Sequence, residues 1–208
     1  MVETKRQTSA IVGIRVKTSI STCIVMLCCV LTSRADNFTL VANGKPRVTI
    51  VCATEASDYP IRASQQEARF QACLDDFRAI VQRISGAELR AVTVADAADM
   101  GVEYTIQVGL TPAARKAGLA KRVQKHKPHT LLIHADPANR VLYLLGSTLE
   151  GSGHAMYEFL QTLGCRWYRP GSFGEVLPQM KTIAVGDVDI VREPEFELRA
   201  IQLRAKST

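Results

Sequence analysis

From Val48 onward the chain alternates between two hydrophobic rhythms. Val48-Thr49-Ile50-Val51-Cys52 is short and rich in β-branched residues, the pattern of a buried strand. Between Ser64 and Gly86 the apolar residues Phe70, Cys73, Leu74, Phe77, Ile80, Val81 and Ile84 recur at steps of three and four, which predicts an amphipathic helix lying on a sheet. Ser64-Gln65-Gln66-Glu67 has the form of a capping box at its start, and Gly86 is placed to close it. Leu89 to Val94 and Tyr104 to Val108 predict two further strands. Thr111-Pro112 predicts a short helix, with a hydroxyl at the cap and proline in the first turn.

Two longer apolar runs, Thr130 to Ala135 and Arg140 to Leu145, flank Asp136-Pro137-Ala138-Asn139, where proline in the second position suits a type I turn between antiparallel strands. Both runs are hydrophobic on both faces, so the hairpin is expected at the centre of the sheet. Gly151-Ser152-Gly153 then leads into a second amphipathic helix, with Ala155, Met156, Phe159, Leu160 and Leu163 on one face and Gly164 at its end. The order strand, helix, strand, strand, helix, hairpin, helix predicts an α/β (α+β-like) fold, a mixed β-sheet with amphipathic helices packed on it rather than a purely parallel doubly wound sheet.

After Gly164 the texture changes. Cys165 to Gly171 and Phe173 to Pro178 crowd Trp167, Tyr168 and Phe173 among chain breakers, the composition of an ordered edge or docking segment. Thr182 to Val185 and Ile190-Val191 continue the strand pattern. Glu197 to Leu203 reads as the start of a new strand with only Arg204 to Thr208 after it, so a following domain is expected to be missing.

Composition narrows the class. Of the 208 residues, 47% are hydrophobic, 22% charged and 6% aromatic, which fits a globular chain and excludes a collagenous, disordered or polytopic membrane one. Lys and Arg outnumber Asp and Glu by 26 to 20, but Lys5, Arg6, Arg15, Lys17 and Arg34 stand against Glu3 alone in the first 35 positions. Beyond them 21 basic residues face 19 acidic ones, so the basicity belongs to the N-terminus and no nucleic-acid partner is expected. Ile20 to Thr32 is an uncharged apolar run of 13 residues, preceded by Arg15 and Lys17 and followed by Ser33-Arg34-Ala35, with small residues at the −3 and −1 positions of a cleavage site. Residues 1–35 thus read as a secretory signal peptide. As a helix the run rises about 20 Å, short of the roughly 30 Å needed to span a bilayer, so no stable membrane span is expected after cleavage. Three cysteines remain in the mature chain, Cys52, Cys73 and Cys165. Their spacing suits neither a zinc knuckle nor a disulfide scaffold and favours small buried hydrophobes.

Candidate chemistry is sparse, and no cofactor or metal is expected. Gly151-x-Gly153 sits between a strand and a helix, where phosphate binds in dinucleotide folds. Met156 occupies the third glycine position, however, so a tight turn is the favoured reading. His129 and His134, five apart on a presumed strand, face opposite sides and cannot chelate together. His154 is placed in the first turn of its helix as a surface residue, and His126 lies in the basic loop Lys121 to Lys127. Glu175 and the pair Asp75-Asp76 are read as structural. Trp167 and Tyr168 could stack on a sugar ring, although burial at a domain interface is favoured for them.

The block Gly153-His154-Ala155-Met156-Tyr157-Glu158-Phe159-Leu160-Gln161-Thr162-Leu163-Gly164-Cys165-Arg166-Trp167-Tyr168-Arg169-Pro170-Gly171, followed by Gly174-Glu175-Val176-Leu177-Pro178, resembles the signature closing the N-terminal domain of bacterial secreted glycoside hydrolases related to α-glucuronidases and β-N-acetylhexosaminidases. The resemblance spans roughly Val48 to Leu203. It implies a secreted or periplasmic bacterial protein with an accessory α/β domain at 36–191, and the start of a catalytic (β/α)8 barrel at 192–208. The barrel itself, which needs about 200 residues or more, is absent. The partners it implies are that barrel and carbohydrate. In such enzymes the first barrel strand carries an arginine that binds sugar. Arg199 matches by position within Glu197-Leu198-Arg199-Ala200, with Ala200 where the pattern has Gly. Arg199 and Trp167 are therefore the substrate-binding candidates, and no catalytic residue is assigned. The alternative is a free-standing carbohydrate- or partner-binding module using Arg166, Trp167 and Tyr168.

Overall fold

The computed structural model describes residues 38–53, 63–100 and 104–195, all within one compact unit, Ala35–Thr208. Residues 1–35, read from the sequence as a signal peptide, and Arg199 lie outside the described residues. The chain opens with β1 (Phe38–Ala42), β2 (Lys45–Pro46) and β3 (Thr49–Cys52), then α1 (Ala63–Ser85), β4 (Arg90–Thr93), α2 (Val94–Met100) and β5 (Thr105–Val108). It continues through α3 (Pro112–Lys116), α4 (Leu119–Gln124), β6 (Leu131–Asp136), β7 (Val141–Gly146) and α5 (Leu149–Thr162). It ends with β8 (Arg166–Trp167), a 3-10 turn at Ser172–Gly174, β9 (Glu175–Val176), β10 (Ile183–Val185) and β11 (Asp189–Arg192).

Six strands form the main sheet in the order β11-β6-β7-β5-β3-β4. β4, β3, β5 and β7 run parallel to one another, whereas β6 is antiparallel to both β7 and β11. The sheet is therefore mixed, as the hairpin inside the α/β order predicts, and the described residues contain no closed barrel. β1 lies between β10 and β2 in a separate three-stranded antiparallel sheet. Its hairpin turns on Asn43-Gly44, both with positive φ (51° and 75°), the backbone a two-residue hairpin needs.

The hairpin β6–β7 holds the centre. Leu132, Ile133, Leu142, Leu144 and Leu145 are fully buried, and five successive residues of β7, from Leu142 to Gly146, are buried. Both faces of that strand are therefore covered, which is why its sequence shows no alternation. Each such side chain contributes about 1.5–3 kcal/mol through burial. The turn differs in detail from the expected one. Arg140 donates its N–H to the Pro137 carbonyl (3.2 Å), while the Asp136 carboxylate accepts from the Asn139 N–H, so the Asp side chain takes the place of a backbone acceptor. α5 packs on β6 and β7, α1 packs on α5, and Phe77 and Phe159 meet in a tilted pair at 6.3 Å.

Three expectations are corrected by local chemistry. Leu89 to Val94 is not all strand, because the Thr93 hydroxyl accepts from the Asp96 N–H (3.2 Å) and starts α2 at Val94. The long helix begins at Ala63, one residue ahead of Ser64, so Ser64 is not its cap. Gly151 and Gly153 do not form a turn before the second helix. Thr148 is the N-cap, its hydroxyl accepting from the Gly151 N–H, and both glycines lie buried inside α5.

Those glycines mark close approaches. A Cβ at Gly151 would stand 2.9 Å from the Thr130 carbonyl oxygen, and one at Gly153 3.0 Å from the Cys73 Sγ. A Cβ at Gly146, the last residue of β7, would lie 2.2 Å from the Gly151 carbonyl carbon. The start of α5 thus rests on the end of β7 backbone to backbone. By contrast, Gly118 has nothing within 4 Å of its missing Cβ and only a left-handed backbone (φ +75°) to explain it.

Cys52, Cys73 and Cys165 are free thiols, Cys52 and Cys165 buried and Cys73 partly so. Burial pushes the Cys52 thiol up to about 12 against a smaller opposing pull from Arg78, and burial raises Cys165 and Cys73 in the same direction. Two outcomes follow. In urea unfolding, Gly146→Ala should lose stability at or above the top of the ~1–3 kcal/mol range of overpacked cores, whereas Gly118→Ala should lose only about 1 kcal/mol. Iodoacetamide at neutral pH should alkylate Cys52 and Cys165 slowly in the native chain and readily in urea, read by peptide mass spectrometry.

Candidate functional site

The segment singled out by its aromatics and breakers folds into a small hairpin. β8 and β9 pair antiparallel, Arg166 opposite Val176 and Trp167 opposite Glu175. Alternation along a strand then separates the side chains by face. Trp167 and Glu175 point to the body of the protein. Trp167 is half-buried, edge-on to Tyr157 of α5 with centroids 5.7 Å apart, and Glu175 accepts from Arg83 of α1 at 2.7 Å. Tyr168 and Val176 take the opposite face and are 77% and 51% exposed.

The connecting loop is tightly built. Tyr168 donates its N–H to the Gly174 carbonyl (2.9 Å) and Gly174 donates to that of Gly171 (3.0 Å). Gly174 is buried so closely that a Cβ there would stand 2.1 Å from the Arg169 carbonyl oxygen. Phe173, between these glycines, is 88% exposed, and the Arg169 guanidinium lies over its ring at 5.3 Å. Among the described residues Tyr168, Phe173 and Val176 are the exposed large hydrophobics, and they share this one hairpin. Single exposed apolar residues are ordinary, but a group of them on a rigid support is an interaction surface.

The base of the hairpin is fixed by α5 and α1. The Arg166 guanidinium donates to the Gln161 and Cys165 carbonyls at 2.7 and 2.6 Å. Tyr157 donates its hydroxyl to the Asp76 carboxylate (2.7 Å), bridging the two helices. Burial, reinforced by that bond and the Asp76 charge, pushes the Tyr157 phenol well above the usual tyrosine range.

Of the two predicted substrate-binding residues, Trp167 turns inward, and Arg199 lies outside the described residues. The acids read as structural have structural partners. Glu175 meets Arg83, Asp76 meets Tyr157, and Asp75 takes the Gln71 amide (3.1 Å). The histidine placements are revised. His129 is not on a strand but in a turn before β6 with φ +63°, and His154 sits in the second turn of α5, not the first. His134 is on β6, with Nδ1 3.3 Å from the Asp189 Oδ1, which also meets Arg122 at 2.7 Å. The Arg122 hydrogen bond, aided by His134, holds the Asp189 carboxyl below the usual range. Sequence reasoning missed Arg83 and the Tyr157–Asp76 link, because the partners are 92 and 81 residues apart in the chain.

No protein-family model matches the chain, and no curated protein matches it. Among solved structures the fold is similar to a region of a 4-O-methyl-α-glucuronidase of family GH115 with specificity for decorated arabinogalactans, with a TM-score of 0.49 and 17% identity. The match covers 77% of this chain and 19% of that one, so the chain spans about a fifth of that enzyme's length. No helix among the described residues is long and apolar enough to cross a membrane.

The exposed hairpin predicts self-association of the chain. The pair of changes Tyr168→Ser and Phe173→Ser should lower its weight-average mass in sedimentation at high concentration and weaken its binding of the dye ANS, with little change in melting temperature.

Proposed function

We propose that this chain is the non-catalytic accessory α/β domain of a secreted, carbohydrate-degrading glycoside hydrolase of the α-glucuronidase or hexosaminidase type, and that it supports a catalytic barrel. The observation that carries the reading is the hairpin of β8 and β9. Tyr168, Phe173 and Val176 are presented outward from the segment whose residues resemble the end of the accessory domain in such enzymes. Its inner face is pinned by Trp167 and Glu175, so the outer face is rigid before any partner arrives. Rigid aromatic surface loses little side-chain freedom on docking, which favours a stable interdomain contact. The signal-peptide reading of residues 1–35 supports a secreted or periplasmic setting.

A binding-module reading has one observation in its favour. Tyr168 is a solvent-facing ring 77% exposed beside Arg169, a combination that can stack on a sugar. Saturable quenching of Trp167, the single tryptophan, by xylan or chitin oligosaccharides would support this module, provided that Tyr168→Ser abolishes the quench.

The accessory-domain reading is tested by assaying the purified chain on aryl glucuronides and aryl N-acetylhexosaminides. No product above the uncatalysed rate is expected, and turnover that co-purifies with the folded chain overturns the proposal.

A further inference from the structure

We infer that the cleft between the outer face of α5 and the residues ending β11 binds a neutral sugar residue. This inference goes beyond the accessory role and does not rest on it. The cleft encloses about 460 Å³, within the range of small-molecule sites. Four of its side chains, His154, Tyr157, Glu158 and Gln161, stand at i, i+3, i+4 and i+7 and so form one stripe along α5. Arg192 faces that stripe from the end of β11, and His129 closes one end.

His129 carries a backbone strain. The Thr130 N–H donates to the Lys127 carbonyl (3.2 Å), which places Pro128 and His129 at the centre of a turn, and His129 takes the left-handed conformation that glycine fills without cost. An imidazole stands there instead. Its Nδ1 lies 3.0 Å from the Thr148 Oγ1 and 3.3 Å from the Glu150 carboxylate, and its ring lies 6.4 Å from that of His154. Non-glycine residues held in this region concentrate at binding and catalytic sites.

The chemistry of the lining selects the ligand. Arg192 Nη2 and Glu158 Oε1 are 3.0 Å apart, so a donor and an acceptor are offered side by side at a separation like that of neighbouring hydroxyl oxygens on a pyranose ring. Each partner keeps hydrogen-bonding capacity beyond their mutual contact. Gln161 adds an amide, which donates and accepts at one end. Tyr157 brings apolar ring surface that the Asp76 hydrogen bond and the Trp167 edge hold still.

Charge narrows the class. Glu158, Glu193 and Glu195 line the cleft beside the one guanidinium of Arg192, an excess of carboxylates that disfavours a uronate or a phosphate. Glu158 is held by Arg192 at 3.0 Å, so that pair presents hydrogen-bonding groups with no net charge. Among the described residues no three His, Cys, Asp or Glu are grouped to hold a metal ion. A hydroxyl-rich neutral ligand is what this mixture of donors and acceptors satisfies.

The test is an amide NMR titration of the full chain with xylobiose and cellobiose, beside glucuronate and glucosamine. Saturable shifts confined to α5 and residues 192–195 are expected with the neutral disaccharides, at millimolar affinity. Gln161→Ala and Arg192→Ala, both at exposed positions, should each weaken binding about fivefold, the loss of one hydrogen bond. Their unchanged spectra elsewhere show that the fold is kept, and Tyr168→Ser should bind as the parent does. The inference is overturned if no saturable shift appears up to high millimolar sugar, or if glucuronate or glucosamine binds more tightly than the neutral sugars. It is also overturned if binding survives both cleft variants but is lost in Tyr168→Ser. None of these results touches the accessory role, which the turnover assay decides by itself.

Discussion

The contact between Gly146 and Gly151 is the constraint on which the rest is built. Backbone meets backbone where β7 ends and α5 begins, and no side chain, however small, fits between them. Only two residues separate strand from helix there, and Thr148 is one of them, supplying the cap. The direction in which α5 leaves the sheet is therefore set by van der Waals contact of main chain, which cannot adjust by changing a rotamer. Gly153, one residue past the first turn, makes room in turn for the Cys73 side chain and so seats α1 on the same helix.

Once α5 is placed, its faces do separate work. Ala155, Met156, Phe159 and Leu160 are buried in the core. Tyr157 reaches Asp76 on one side and Trp167 on the other, which carries the position of α5 into the hairpin beyond it. The hairpin is thus held by a chain of contacts from the sheet centre outward. Arg83 fixes it to α1 as well, so it is anchored to both helices. That double attachment explains how a pair of two-residue strands, far too short to persist alone, presents Tyr168 and Phe173 in a defined place.

Much of this architecture was legible in the chain. β3, α1, β5 and the β6–β7 hairpin follow from β-branched runs and three-and-four spacing, because burial in those elements obeys one local period. The mixed sheet followed from the hairpin's place in the element order. Two further signals were also local. Asn43-Gly44, the dipeptide of a two-residue hairpin, precedes the first strand read from the sequence and went unread, and Thr93 with Asp96 is a capping pair inside a run read as strand. Other features could not be read at all. Gly151-x-Gly153 looks the same in a phosphate loop as in a helix pressed against a strand, since the difference lies in what occupies the space over each glycine. Of the aromatic segment, the sequence showed its composition but not that Trp167 turns in and Tyr168 out. That depends on a two-residue strand pairing, and strands so short carry no periodicity.

The small sheet has a consequence for how the chain acquires its shape. β1, the first described strand, pairs with β10, near the end of the described chain, with Phe38 opposite Val185. A ribosome delivers these two segments at widely separated times, so β1 has nothing but its own short hairpin to pair with until almost all of the main sheet has been made. Closing so long a loop costs entropy that must be met by contacts already in place. The pairing of β1 with β10 is thus among the last that synthesis permits, and a chain interrupted before Ile183 would lack both that clasp and β11, the edge strand of the main sheet.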